Sequence, residues 1–516
     1  MKGLPTLLEP LQEYQRIKQA ITEGKTPISV TGMADAHKSH FIASLAAQMG
    51  RRALVVVRDE NTAMKMAQDI GVLSGQPAHY YPARDFVLMD VDGASAEYEH
   101  QRLKVLSGLL RGQVKTVVAS VEAVSQLTIP HQILERSVLT IAADEEHSLE
   151  EMIASLAAMG YQRREQVEGT CQFARRGGIL DVFPPDSADP IRIEFWDDLV
   201  DSISTFKVDT QRREEPLEQV TLPPAREVLF QSPQKLSSLL ENAKGSLSGK
   251  AGAKAKEHLE KDQERLAAGL NPVSIDRYLP LLYQTPETLF DYMPEAIAFL
   301  CEPISCKEAL KPVLDQHYED VQVLMEDGIL FRGCSTFYRD FTSLCQSIAR
   351  QDSLLLDTFT RLVSEVVVRD VINVTATQLS SWSGEFAVLK DDMEDYLGAG
   401  YCCVLFAGTQ RSAQALAGDL QKEGISADFV KDVPQAVPNK VFILEDTLSA
   451  GADYPQIKLA ILTHTRGSQV KRKAVKQKKG ANIKNISDLN IGDYVVHVSH
   501  GIGIFEGIVK RDIHGV

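Results

Sequence analysis

The apolar positions of the first part of the chain alternate between short unbroken runs and stretches with helical spacing. The unbroken runs occur in PISVTG, RRALVVVRD and VKTVVASVEAVSQ. Strands that alternate with helices predict a parallel sheet with helices packed on it. We therefore predict that residues 1–127 form the first part of an α/β domain.

The pattern changes in residues 128–212. Here Pro, Gly and Asp separate short apolar stretches, as in GGILDVFPPDSADPIRIEFWDD. This spacing is typical of short strands joined by turns and predicts a small β-rich insert. Helical periodicity returns from residue 231, and the apolar run AIAFLCEP at 296–303 resembles a further strand of the first sheet. Residues 213–349 are therefore predicted as the second part of the first domain.

Three more segments complete the predicted organisation. Residues 350–465 carry the apolar runs CCVLFAG, KVFIL and KLAILTH around a helical stretch and predict a second α/β domain. Residues 466–485 are a basic linker, and residues 486–516 alternate apolar residues with glycine turns, which predicts part of a β-barrel at the C-terminus. The fold class is thus an α/β multidomain protein with a β-rich insert.

Composition narrows the class of protein. The 516 residues carry a net charge of −15, which argues against nucleic acid wrapping the whole chain, because phosphate binding requires clustered Lys and Arg. Seven cysteines without paired spacing predict reduced thiols and no metal site. No apolar run approaches the roughly 20 residues of a membrane span, so we expect a cytoplasmic, monomeric protein.

Residues 28–50 contain a sequence close to a phosphate-binding loop. Gly32, Lys38 and Ser39 have the spacing G-x-x-x-x-G-K-[ST], in which backbone N–H groups, a lysine and a hydroxyl bind phosphates and magnesium. His37 replaces the last glycine, and left-handed torsions at that position would cost a non-glycine residue about 1 kcal/mol or more. Asp35 adds a carboxylate that would repel phosphate. We predict a structural relic of a nucleotide site whose helix begins at Ser39.

A nucleotide-hydrolysing site also needs acids at the end of a later strand. One candidate is the run Asp144, Glu145 and His147, although Ser148 followed by Glu151 favours an ordinary helix start there. The other is AIAFLCEP, where Glu302 ends the strand but Cys301 occupies the position of a metal-binding Asp. Because both the phosphate-binding loop and the acids at the end of the later strand are altered, we predict that this chain itself binds neither ATP nor magnesium.

Several longer stretches resemble the amino-terminal half of the bacterial transcription-repair coupling factors. They are YYPARDFVLMDVDGASAEYEHQRLKVLSGLL, GYQRREQVEGTCQFARRGGILDVFPP, IRIEFWDDLVDSISTFKVDTQR and IGDYVVHVSHGIGIFEG. The middle two are also similar to the excision-repair protein UvrB. The resemblance implies a UvrB-like domain with a UvrA-binding insert, a second α/β domain, and an RNA polymerase interaction module that is truncated here.

The same resemblance implies what the protein does. Full-length family members displace RNA polymerase stalled at a lesion with an ATP-driven translocase on double-stranded DNA, and they recruit UvrA. The motor, with its ATP and magnesium, is expected to be absent from these residues, which are expected to dock partners. Two alternatives remain open: a UvrB-like ATPase or helicase fragment using Lys38 and the run from Asp144 to His147, and direct DNA binding by the basic run at 471–479.

The resemblance also assigns candidate contact residues. Guanidinium groups suit acidic interfaces, and those expected to contact UvrA, with a neighbouring glycine, are Arg163, Arg164, Arg175, Arg176 and Gly177. A strand edge of the terminal module is expected to pair with the RNA polymerase beta subunit. Its candidate residues are Val495, Val496, His497, Ile504, Phe505 and Ile508.

Overall fold

The fold is known from a computed structural model. It describes residues 3–89, 95–230, 232–272, 274–361, 363–382, 385–433, 435–464, 494–497 and 501–504. The helices are α1 (Gln12–Thr22), α2 (Asp35–Met49), α3 (Glu60–Ser74), α4 (Glu97–Leu110), α5 (Val121–Ser125), α6 (His131–Arg136), α7 (Leu149–Ala158), α8 (Pro233–Ser246), α9 (Gly249–Ala267), α10 (Leu279–Leu282), α11 (Leu289–Tyr292), α12 (Pro303–Glu326), α13 (Phe341–Ala349), α14 (Phe386–Gly398) and α15 (Gln410–Lys422). Within this part of the chain, no helix is both long and apolar enough to cross a membrane.

The strands form five sheets within the described ranges. They are β1 (Ile28–Thr31), β2 (Ala53–Val57), β3 (Ala78–Tyr81), β4 (Thr116–Ser120), β5 (Leu139–Ala142), β6 (Gln162–Arg163), β7 (Gln172–Arg176), β8 (Ile179–Val182), β9 (Ile191–Trp196), β10 (Leu199–Phe206), β11 (Arg213–Leu217), β12 (Gln219–Leu222), β13 (Ile297–Cys301), β14 (Ser353–Leu356), β15 (Asp370–Asn373), β16 (Thr377–Leu379), β17 (Cys402–Phe406), β18 (Ala427–Phe429), β19 (Lys440–Leu444), β20 (Gly451–Tyr454), β21 (Leu459–Thr463), β22 (Tyr494–His497) and β23 (Gly501–Ile504).

The first sheet confirms the α/β class. Its order is β15-β1-β14-β13-β2-β4-β3, and every pairing in it is parallel. The central strands are buried along their whole length because helices cover both faces of a parallel sheet. Strands β14 and β15 extend this sheet beyond residue 349, where the first domain was predicted to end. The short run SLLL and the largely exposed edge strand DVIN carry too weak a pattern to be assigned to a sheet from sequence.

The β-rich insert, built on β5–β12, has a hydrophobic core of its own. Six strands form a sheet in the order β11-β10-β9-β8-β7-β6, while β5 pairs with β12, and α7 contributes to the same core. Its bounds differ from the predicted 128–212. Residues 128–138 precede β5, and Ile129 and Leu134 pack in the core of the first domain. At the other end, β11 and β12 lie after residue 212. The sequence analysis missed these two strands because the segment REEPLEQVTL is mostly polar.

The second α/β domain has the sheet order β16-β20-β21-β17-β19-β18. Helices α14 and α15 cover one face of this sheet. The opposite face packs against α2, so that Phe406 and Tyr454 share a core with Phe41. The two α/β sheets are therefore joined through α2.

The carboxyl-terminal part is described only by β22 and β23, which form an antiparallel pair. The predicted linker at 466–485 lies outside the described residues, and the partial barrel stays a prediction.

A buried ion network joins the first domain to the segment that follows the insert. The Glu227 carboxylate accepts from Arg102 Nε at 2.6 Å and from the Thr128 hydroxyl at 2.6 Å, and Arg84 Nε lies 3.4 Å away. Burial alone would raise the pKa of Glu227, but the two arginines hold it below its ordinary value. The network fixes the point at which the chain returns from the insert.

We expect Glu227→Gln to lower the free energy of unfolding of the first domain by about 3–5 kcal/mol, because the buried Arg102 loses its carboxylate partner. Urea denaturation followed by circular dichroism measures the change in the first-domain transition. The control is Glu319→Gln, at an exposed position of α12, which is expected to change it by less than about 0.5 kcal/mol. A similar small effect of Glu227→Gln would contradict the assigned role.

Candidate functional site

The phosphate-loop sequence folds as a short turn followed directly by a helix. Gly32 has φ +82°, and a Cβ on it would lie 2.1 Å from the Val374 carbonyl oxygen, so glycine is required there. The helix α2 begins at Asp35 rather than at Ser39. Residues 35–37, which would form the backbone cradle of a phosphate loop, are therefore helical.

His37 is not strained, which corrects the predicted cost of left-handed torsions. It lies in the first turn of α2 and is not among the positive-φ residues of the described chain. The backbone N–H of Ala34 donates to His37 Nδ1 at 3.2 Å, and the imidazole packs edge-on against Tyr454. Burial lowers the pKa of His37 to about 4, so the ring is neutral at physiological pH. The buried imidazole therefore caps the start of α2 by accepting a hydrogen bond from the backbone of Ala34.

Lys38 is neutralised by the protein's own acids. Its side chain is fully buried, and Nζ lies 3.0 Å from Asp35 Oδ1 and 2.5 Å from Glu302 Oε1. Glu302 also accepts hydrogen bonds from the backbone N–H and the hydroxyl of Thr358. Burial alone would lower the pKa of Lys38, but the carboxylates of Asp35 and Glu302 raise it above its ordinary value. The lysine is a structural cation held in place by two carboxylates.

The cleft beside Lys38 is lined by equal numbers of carboxylates and arginines. Asp35 and Glu302, together with Arg58, Arg361 and Cys301, line a cavity of about 330 Å³. Behind it, Asp357 is buried with neither carboxylate oxygen hydrogen-bonded, and burial raises its pKa to about 7. Burial also raises the pKa of the Cys301 thiol to about 12, which keeps it protonated and a poor metal ligand. Ser39 Oγ is buried in α2. A phosphate in this cleft would have to compete with Asp35 and Glu302 for Lys38.

The pH dependence of the Asp357→Asn variant tests this arrangement. In the unfolded chain the Asp357 carboxyl group has a pKa near 3.9, whereas in the folded chain burial raises its pKa to about 7. The stability that the aspartic acid contributes is therefore full below pH 4 and is lost as the pH rises to about 7. We therefore expect the free energy of unfolding of Asp357→Asn to rise relative to that of the wild type as the pH increases from 4 to 7.5, by on the order of 3 kcal/mol.

Denaturation at a series of pH values measures this difference. The control is Asp352→Asn at the opposite end of β14, because Asp352 is paired with Arg51 at 2.6 Å and loss of this pair should slightly destabilise the protein at neutral pH. A pH-independent difference between Asp357→Asn and the wild type would contradict the assignment.

The second candidate site is the six-stranded sheet of the insert, whose two faces differ in character. Residues directly opposite each other on paired strands share a face. Phe173, Leu180 and Ile193 lie on the inner face, which packs with α7. Arg176 pairs with Ile179, and Ile179 pairs with Glu194, so these residues lie on the outer face. The predicted arginines are thus divided between the faces and edge of one sheet.

Each predicted UvrA-contact residue is exposed, but they do not form one cluster. Arg163 and Arg164 lie at the edge strand β6, beside Phe173. Arg175 reaches over the inner face and forms an ion pair with Glu150 of α7. Gly177 follows β7 in a turn with φ +62°.

Arg176 belongs to an ion network on the outer face. Asp181 is fully buried and accepts from Arg176 Nη2 at 2.6 Å and from Arg192 Nε at 2.7 Å. Arg176 keeps a side-chain exposure of 45%, so donors remain free for a partner. Asp181 therefore pairs with both Arg176 and Arg192, which leaves one positive charge in excess. Of the two arginines, Arg176 is the more exposed.

The residue that the sequence analysis missed is Trp196. It ends β9 on the outer face and is 79% exposed, and its cross-strand partner Leu199 is 39% exposed. The signal was present in IRIEFW, because inward-pointing Ile191, Ile193 and Phe195 place Trp196 outward at period two.

The run Asp144, Glu145 and His147 is part of the insert and not of a nucleotide site. The His147 N–H donates to the Asp198 carbonyl, and Ser148 caps α7. The favoured interpretation of this run as a helix start is confirmed.

The residues predicted to contact RNA polymerase are only partly described. Val495, Val496 and His497 lie on β22, and Ile504 lies on β23. Phe505 and Ile508 fall outside the described residues.

Two family models match this chain, one in the insert and one in the carboxyl-terminal segment. Residues 139–228 match the UvrB interaction domain, and residues 489–516 match the CarD-like/TRCF RID domain. The first match coincides with the unit from β5 to β12 and includes Glu227.

Two named relatives align with nearly the whole of this chain. A transcription-repair-coupling factor of Bacillus subtilis is 28% identical over 100% of this chain and 45% of its own length. The chain is a relative of the transcription-repair coupling factors. A transcription-repair-coupling factor of Staphylococcus aureus (strain MSSA476) is 24% identical over 99% of this chain and 44% of its own length. The chain thus spans less than half the length of the coupling factors that it matches.

Proposed function

We propose that this chain is the partner-docking part of a transcription-repair coupling factor. In this proposal the insert contacts UvrA, the segment at 489–516 contacts the RNA polymerase beta subunit, and the first α/β domain is a scaffold. The observation that carries the proposal is that the UvrB interaction match coincides with a unit that has its own core and whose outer face exposes Arg176 and Trp196.

The internal pairing of Lys38 supports a scaffold role for the first domain. Lys38 has two carboxylates as close partners, so a phosphate would have to displace at least one of them. Displacement would leave a carboxylate in a partly buried cleft beside the phosphate, which is electrostatically unfavourable. The proposal therefore assigns ATP and magnesium to other parts of the full-length protein, where a DNA translocase would also reside.

The insert has the properties of a recruitment surface. Arginine is enriched in interfaces because its planar group binds carboxylates through two hydrogen bonds. Arg176 is oriented by Asp181, so less side-chain entropy is lost when a partner binds. An acidic surface of UvrA is the complement that these charges favour.

We expect Arg176→Ala to weaken binding to purified UvrA by about 10- to 100-fold, as at an interfacial arginine that contributes strongly to binding. Isothermal titration calorimetry measures the change. The control is Arg350→Ala, an exposed arginine after α13 that lies outside the insert, which should bind like the wild type. Undiminished binding by Arg176→Ala would contradict its role, and absence of wild-type binding would contradict the proposed function.

We expect no saturable binding of magnesium-ATP by this chain up to about 1 mM, because Lys38 is already paired. Equilibrium binding of a fluorescent ATP analogue measures this, with Lys38→Met as a matched variant and circular dichroism as the check of its fold. Micromolar affinity in the wild type that Lys38→Met abolishes would favour the alternative, an ATPase or helicase fragment, over the scaffold.

A further inference from the structure

We propose that Trp196 and Leu199, at the turn between β9 and β10, form the apolar centre of the surface that binds UvrA. The inference rests on the proposed function and adds to it the residues that supply most of the contact area. Nothing in the family match itself assigns a role to these two side chains.

The exposure of this pair is the first observation. Trp196 is 79% exposed, whereas Phe173 and Phe206 of the same sheet are almost fully buried and Phe195 is half-buried. Trp196 and Leu199 are directly paired across the hairpin and so form one continuous apolar patch. A large apolar pair exposed to water is a typical feature of an interaction site, and tryptophan is enriched among residues that dominate binding energy.

The position of the pair relative to Arg176 is the second observation. Ile179 is paired with both Arg176 and Glu194, and Trp196 lies two residues beyond Glu194 on the same face. The Phe195 N–H donates to the Gly178 carbonyl at 2.8 Å, which holds the end of β9 beside the turn that follows Arg176. The apolar pair and the predicted arginine therefore belong to one surface.

The charges of the outer face indicate the chemistry of the partner. Asp181 and Glu194 pair with three arginines, Arg176, Arg192 and Arg213, which leaves one positive charge in excess. The turn beyond Trp196 carries the opposite sign, since its two residues are aspartates. The complementary surface of UvrA is an apolar pocket with acidic groups toward Arg176 and basic groups toward the turn.

The backbone around Trp196 is held in a defined position. The Val200 N–H donates to the Glu145 carbonyl at 2.9 Å, and the His147 N–H donates to the Asp198 carbonyl at 2.7 Å. These bonds attach the hairpin to the segment that precedes α7. A pre-formed backbone lowers the entropy cost of binding.

Titration of the whole chain with purified UvrA tests the inference. Trp196→Ala is expected to weaken binding by about 10- to 100-fold, while Trp196→Phe should retain most of the affinity because it keeps an aromatic side chain. The control is Tyr318→Ala on α12, an aromatic residue that is 58% exposed and lies outside the insert. Thermal unfolding should be unchanged in all three variants, because each side chain lies largely in water.

The outcomes separate this inference from the proposed function. If wild-type protein binds UvrA and Arg176→Ala weakens the complex, but Trp196→Ala binds like Tyr318→Ala, the inference is wrong and the proposed function stands. Absence of wild-type binding overturns both. Specific loss of affinity in Trp196→Ala, with recovery in Trp196→Phe, supports the apolar centre.

Discussion

The ion cluster around Lys38 is the constraint on which the scaffold depends. A lysine with no exposed side-chain surface requires compensating charge, because an unpaired buried cation costs several kcal/mol. Asp35 and Glu302 supply that charge from the start of α2 and from the end of β13. Glu302 in turn accepts from Thr358 after β14. The cluster therefore ties three neighbouring segments of the first sheet at the edge where a nucleotide would bind in an active relative.

The same constraint explains the environment of α2. Every residue from Ala36 to Leu45 is buried, so this helix has no solvent-facing stripe. One side packs on the first sheet, and the other side packs on the second α/β domain. His40 is hydrogen-bonded to the Tyr454 hydroxyl at 3.1 Å, so even its polar contacts are internal. A helix held on both sides is suited to connect two domains and poorly suited to adjust around a ligand.

The sequence was sufficient to predict the parts of this architecture that have strong local patterns. Continuous apolar runs such as ALVVV and IAFLC predicted the parallel sheet, and the change to short strands revealed the insert. The pairing of Lys38 with Glu302 could not be predicted, because the two residues are 264 positions apart. The start of α2 was placed too late because the prediction followed the spacing of a phosphate loop, whereas His37 caps an earlier helix start. The domain ends were misplaced where strands are polar or lie at an edge.

The contrast between the two sites indicates how function is distributed in this chain. In the first domain, charged groups are paired internally, and Arg102 and Glu227 are fully buried at the point where the chain leaves the insert. On the insert, Asp181 is shared between two arginines, so its charge cannot fully satisfy both. A surface with unsatisfied guanidinium donors beside an exposed tryptophan gains free energy when a complementary partner covers it. Because Glu227 anchors the end of the insert in the first domain, a partner bound to the insert would be held at a defined position relative to the scaffold.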